Sequence, residues 1–113
     1  MSPEAQRLWD ALLRARVEGR VTPEHPIHSK VIAEKLGYSG GERQVRLYIN
    51  ECRTEGLYAC SSNGGYFAAL SFQECEETIR ILLAKARSTA LPARAMMARG
   101  TEDERRQLEI EFA

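Results

Sequence analysis

A glycine punctuates the most constraining stretch of the chain. From Ser29 to Leu36, the residues Val31, Ile32, Ala33 and Leu36 supply one apolar face of a helix of about two turns, with Ser29 where an N-cap belongs. Gly37 then stops that helix. After Tyr38, Ser39-Gly40-Gly41-Glu42 spells S-x-x-E, the pattern in which serine and glutamate satisfy each other's orphan amides, and a second helix is expected there. The turn from Leu36 through Ser39, changing direction at Gly37, is expected to set the second helix across the first.

The second helix is two-sided. At 100° per residue, Val45, Tyr48, Ile49 and Cys52 share one side, and Arg43, Leu47, Asn50 and Thr54 fall opposite. Gln44 and Arg46 flank the outer side, and Gly56 ends the helix. Two strand-like runs follow, Leu57 to Ser61 and Tyr66 to Ala69, joined by Ser62, Asn63, Gly64 and Gly65. Asn-Gly favours positive φ, so the pair reads as a hairpin.

Ahead of these elements, Pro3 to Gly19 reads as a helix whose buried stripe draws on Ala5, Leu8, Trp9, Leu12 and Val17. Thr22, Pro23, Glu24 and Pro26 form a short connector, after which Ile27 can make a brief strand. Beyond the hairpin, Ser71 and Glu74 repeat the capping signature. The helix they open carries Glu74, Glu76 and Glu77 early and Arg80, Lys85 and Arg87 late, which complements its dipole. Phe72, Cys75, Ile79, Leu82, Leu83, Ala86 and Ala90 form its apolar stripe. Pro92 is expected to kink or end it near Leu91, with Ala93 to Arg99 as a further short helix. Thr101 and Glu104 give a third capping pattern, although the alternation from Arg106 to Phe112 also reads as an extended peptide.

Composition narrows what such a chain does. With 113 residues, 43% hydrophobic and 28% charged, one core is expected, held without metal. The longest apolar run, Tyr66 to Leu70, is far short of a membrane span, and the first residues carry no secretory pattern, so a soluble cytoplasmic protein is expected. Cys52, Cys60 and Cys75 form no C-x-x-C pair and leave an odd one over; the expectation is reduced, packed thiols, with neither a disulfide framework nor a zinc module. His25 and His28 make an H-x-x-H without a third ligand, so no metal site and no cofactor is expected. No nucleophile, phosphate-loop or paired-carboxylate signature points to catalysis. The 16 basic residues balance 16 acidic ones, so any case for nucleic acid rests on local placement. From Ile27 to Leu70 the balance is Lys30, Lys35, Arg43, Arg46 and Arg53 against Glu34, Glu42, Glu51 and Glu55.

The order of helix, short strand, short helix, turn, longer helix and hairpin resembles a winged helix-turn-helix module. The likeness is nearest to the amino-terminal domain of biotin repressors and to small helix-turn-helix proteins of bacteriophages. It is carried by Ile27-His28-Ser29, Ile32 to Gly37, Arg43-Gln44-Val45-Arg46, Ile49, Cys52 to Gly56 and Gly65-Tyr66-Phe67. It implies a mainly α fold with a small β-hairpin and a winged domain over 1–70; outside the likeness, the apolar stripe of the helix from Phe72 suggests a helical extension over 71–99 for dimerisation or partner docking, and 100–113 reads as a charged tail. The likeness further implies duplex-DNA reading by the helix from Gly40 to Glu55. Ser39, Arg43, Gln44, Arg46, Leu47 and Asn50 would meet bases and phosphates, with Asn63 and Gly64 at the wing tip.

The stripe of Ile79, Leu82, Leu83 and Ala86 could pair with a second copy or pack back on the first helix. Gln107, Leu108, Ile110 and Phe112 resemble the bacterial sliding-clamp-binding peptide, while a tail helix capped by Thr101 is the more economical reading. The expected function is sequence-specific DNA binding, as a phage or mobile-element regulator or replication accessory. The alternative is an adaptor that uses the winged scaffold to engage a host or replication protein.

Overall fold

The computed structural model describes residues 1–111 in full and the backbone of Phe112. It is mainly α, with five helices and one two-stranded antiparallel hairpin among the described residues. The chain divides into two compact units, Met1–Thr78 and a second beginning at Ile79.

In the first unit, α1 spans Pro3–Val17. Ser2 caps it, its Oγ accepting from the Ala5 N–H at 3.2 Å. Ala5, Leu8, Leu12 and Ala15 are its buried residues, at spacings of three and four. Trp9 is half-buried, and Val17 is 72% exposed, outside the stripe the sequence suggests. The stripe closes on Ala15 instead, and a residue two places further lies about 200° around the helix.

Helix α2 spans Ser29–Leu36 and α3 spans Gly41–Thr54. Gly37, at φ +71°, takes the left-handed conformation that turns the chain between them. Helix α3 packs against both α1 and α2, burying Val45, Ile49 and Cys52. Both expected caps are corrected here. Residue His28, not Ser29, is the N-cap of α2. Because α3 starts at Gly41, Ser39 lies outside it and Glu42 sits in its second position, too early to close a capping box. Glu42 accepts from the Ser29 hydroxyl at 2.6 Å, and Gln44 Oε1 takes the Gly40 N–H at 2.9 Å.

Strands β1 (Ala59–Ser62) and β2 (Gly65–Ala68) pair with Ser62 opposite Gly65, so the loop shortens to Asn63 and Gly64. Both have positive φ, 46° and 81°, as a type I′ turn requires. Ile27 adds a third-strand bridge by exchanging hydrogen bonds of 3.0 and 2.8 Å with Tyr66.

Helix α4 spans Phe72–Met97 and opens in the first unit. The Glu74 N–H donates to Ser71 Oγ at 3.2 Å, while Glu74 accepts from the Leu70 N–H and from Arg16, both at 2.7 Å. The expectation of three reduced cysteines is overturned: Cys60 on β1 and Cys75 in the first turns of α4 form a disulfide, and Cys52 is the one free, buried thiol among the described residues. Strand and helix bring these two Cα atoms to 5.8 Å, within bridging range. An odd count leaves one thiol over without forbidding a pair.

In the second unit α4 runs through Pro92, where the sequence suggests a break and a separate helix from Ala93. Proline removes one N–H from the ladder, and the Ser88 carbonyl four residues back is on an exposed residue open to water. Helix α5 spans Glu102–Phe112. Its Glu104 N–H donates to Thr101 Oγ1 at 3.2 Å, so the cap prevails and the extended reading of the tail is corrected. No described helix is long and apolar enough to cross a membrane.

Two measurements check this core. In urea denaturation Ile49→Ala is expected to cost about 2–5 kcal/mol by leaving a cavity, whereas Leu47→Ala on the opposite face should change stability by less than about 0.5 kcal/mol. Reduction of Cys60–Cys75, which closes a separation of 15 residues, is expected to remove about 3 kcal/mol. An unchanged urea midpoint after reduction would contradict the bridge.

Candidate nucleic-acid interface

The same burial that holds α3 down leaves its far side bare. Arg43, Arg46 and Asn50 are exposed there, and Leu47 is 60% exposed, a large apolar side chain that the described residues leave largely uncovered. Neither Arg43 nor Arg46 enters an ion pair among the described residues. Two donor-rich side chains, an amide and an apolar contact therefore share one helical face, the inventory that reads base edges and phosphates.

Gln44 differs from its neighbours. Its Oε1 takes the Gly40 N–H, and its Nε2 donates to the Tyr48 hydroxyl at 3.2 Å. Both ends of this amide are occupied, so Gln44 braces the start of α3. Ser39 lies exposed in the turn before it.

Asn63 and Gly64 are exposed at the hairpin tip. The Gly64 carbonyl accepts from His28 Nδ1 at 2.9 Å. Thus one residue before α2 ties the hairpin tip to the start of that helix. The contact spans 36 residues, beyond the reach of any local sequence pattern. Arg53, counted among the basic residues of the region, turns inward. Its Nε donates to the Ala59 carbonyl at 2.6 Å, and its guanidinium lies 5.9 Å from the Tyr66 ring centre. Burial pulls its pKa below the ordinary arginine range.

The amino terminus clamps the other side of α3. The Ser2 N–H and hydroxyl both donate to the Glu51 carboxylate, the latter at 2.9 Å, and the terminal ammonium lies 3.4 Å from Glu55. Tyr38 donates to the Glu4 carbonyl at 3.2 Å and packs edge-on against Tyr48 at 5.3 Å. Burial pushes the Tyr38 hydroxyl and the Cys52 thiol up in pKa. Two acidic residues of α3 and its C-cap thus face partners within the chain rather than the exposed side.

In the second unit, Ile79 is half-buried and Ala86 exposed, with Leu82 at 39% and Leu83 at 66% exposure. Gln107 donates to Glu111 along α5 at 3.2 Å. Leu108 and Ile110, two residues apart on that helix, point about 200° apart and form no common stripe. The side chain of Phe112 lies outside the described residues. No cluster of three metal-ligating side chains occurs among the described residues. Comparison with protein-family models, with curated proteins and with solved structures returns no match.

The Glu51 anchor sets a pH dependence. The Ser2 N–H holds this carboxyl below the usual carboxylate range, helped by the Ser2 hydroxyl and the terminal ammonium and opposed by burial. With the folded pKa depressed, the unfolded chain binds more protons at acid pH. Its contribution is therefore full above the usual carboxylate pKa and lost as pH falls through the folded value. Urea midpoints recorded from neutral pH downward should decline in that acid window, and Glu51→Gln should flatten the decline.

Proposed function

We propose that the chain is a winged helix-turn-helix protein that binds duplex DNA, with α3 as the helix entering the major groove and the Asn63–Gly64 turn as the wing tip. One observation carries the reading: Arg43, Arg46, Leu47 and Asn50 stand exposed on α3 while Val45, Ile49 and Cys52 on its other side are buried. Helix-turn-helix readers present such a face, with a few side chains reaching base edges and others holding phosphates. The Ile27–Tyr66 bridge and the two-residue hairpin loop support the winged arrangement.

Exposed Leu82 and Leu83 on α4 favour a homodimer, which would set two recognition helices against two half-sites. They equally favour the adaptor reading, in which these leucines engage another protein and the zero net charge is no handicap.

Titration of random duplex DNA separates the two. Binding is expected to weaken as salt rises, with a logarithmic slope of about −0.9 per phosphate contact. Arg43→Ala should lower that slope by about one if it holds a phosphate, or cost about 1–3 kcal/mol on a preferred sequence if it reads guanine; the same holds for Arg46→Ala. No association at low salt, together with capture of a protein partner that depends on Leu82 and Leu83, would establish the adaptor instead.

A further inference from the structure

A groove of about 440 Å³ lies between α1, α2 and residues 20–28, on a part of the first unit to which α3 contributes nothing. Its volume falls within the roughly 300–1,000 Å³ typical of ligand-holding clefts. The floor is apolar, built from Leu8, Leu12, Val21 and Ile32. The rim is basic: Arg14, Arg20 and Lys35 line it, and no acidic residue does. Arg20 is engaged by Glu18 at 2.6 Å, but Arg14 and Lys35 enter no ion pair among the described residues. Val31, 36% exposed, also lines it.

Two chemistries meet here, and each limits the occupant. An apolar floor offers nothing to a sugar-phosphate backbone, while the Arg14 and Lys35 charges on the rim disfavour a cationic surface. Two helices flanking a groove suit a third helix laid between them, with anchors at i, i+3 or i+4, and i+7. We propose that this groove docks an amphipathic helix of a partner protein that carries Asp or Glu beside its apolar anchors, the acids meeting Arg14 and Lys35. The proposal does not depend on how α3 is used, because the two surfaces share no residue.

The test selects helical peptides from a random library on the intact chain, then measures each winner and its charge-reversed copy by fluorescence anisotropy. Winners are expected to carry spaced apolar anchors and an excess of Asp and Glu, and their Lys-substituted copies should not bind. Arg14→Glu combined with Lys35→Glu should weaken binding about tenfold or more, Val31→Asp should also weaken it, and Arg43→Ala with Arg46→Ala should leave it unchanged. If the double reversal does not fold, Arg14→Gln with Lys35→Gln should give a smaller loss of the same sign. Winners without acidic excess, indifference to the rim variants, displacement by duplex DNA, or no winner at all would overturn the proposal. The DNA titration reads the other surface, so either reading can fail alone.

Discussion

The first unit depends on the burial of one side of α3. Val45, Ile49 and Cys52 lose essentially all contact with water against α1 and α2, and burying side chains of this kind is worth about 1.5–3 kcal/mol each for the larger aliphatic ones. Non-directional burial alone would let the helix slide. Register comes from the directional contacts at its edge, where Ser2 donates to Glu51 and the Cys52 thiol lies 3.5 Å from the Ala5 carbonyl. With the inner side fixed in this way, the outer side is left to solvent and to whatever docks there.

A second organising point is the short segment before α2. Ile27 bridges to Tyr66 in the hairpin, His28 reaches Gly64 at its tip, and Ser29 donates to Glu42 in α3. Three consecutive residues thus contact two elements that are distant in sequence. Gly65 shows how closely the backbones approach: a Cβ there would meet the Ile27 carbonyl oxygen and Pro26 Cβ, each at 2.9 Å. The connector therefore sets the height of the hairpin relative to the helix pair.

Much of the architecture was legible because it rests on local periodicity. The 100° spacing separated Arg43, Leu47 and Asn50 from Val45 and Ile49 without any knowledge of α1, and Asn63-Gly64 marked its own turn. What escaped was either a matter of one residue's phase or a contact over long distance. Ser39 and Glu42 have capping-box spacing, but the helix begins two residues after the serine, whereas Ser71 and Glu74 have the same spacing in the right phase. The Cys60–Cys75 bridge, the inward turn of Arg53 and the His28 contact all join residues whose meeting only the folded chain determines. At the tail, a few alternating residues suggested extension, yet Thr101 capped a helix that places them on different faces.

The junction between hairpin and α4 has a mechanical meaning. Cys60 is covalently joined to Cys75, and one turn later Thr78 Oγ1 accepts from the Ser61 N–H at 3.1 Å. Two adjacent strand residues are thereby pinned to two successive turns of one helix, one by a covalent link and one by a pair of hydrogen bonds, since Thr78 Oγ1 also donates to the Ser61 carbonyl at 3.3 Å. A strand held at two points cannot pivot about either. A tilt of the opening turns of α4 would therefore tend to move the hairpin with it, and the His28–Gly64 contact at the tip would feel that movement.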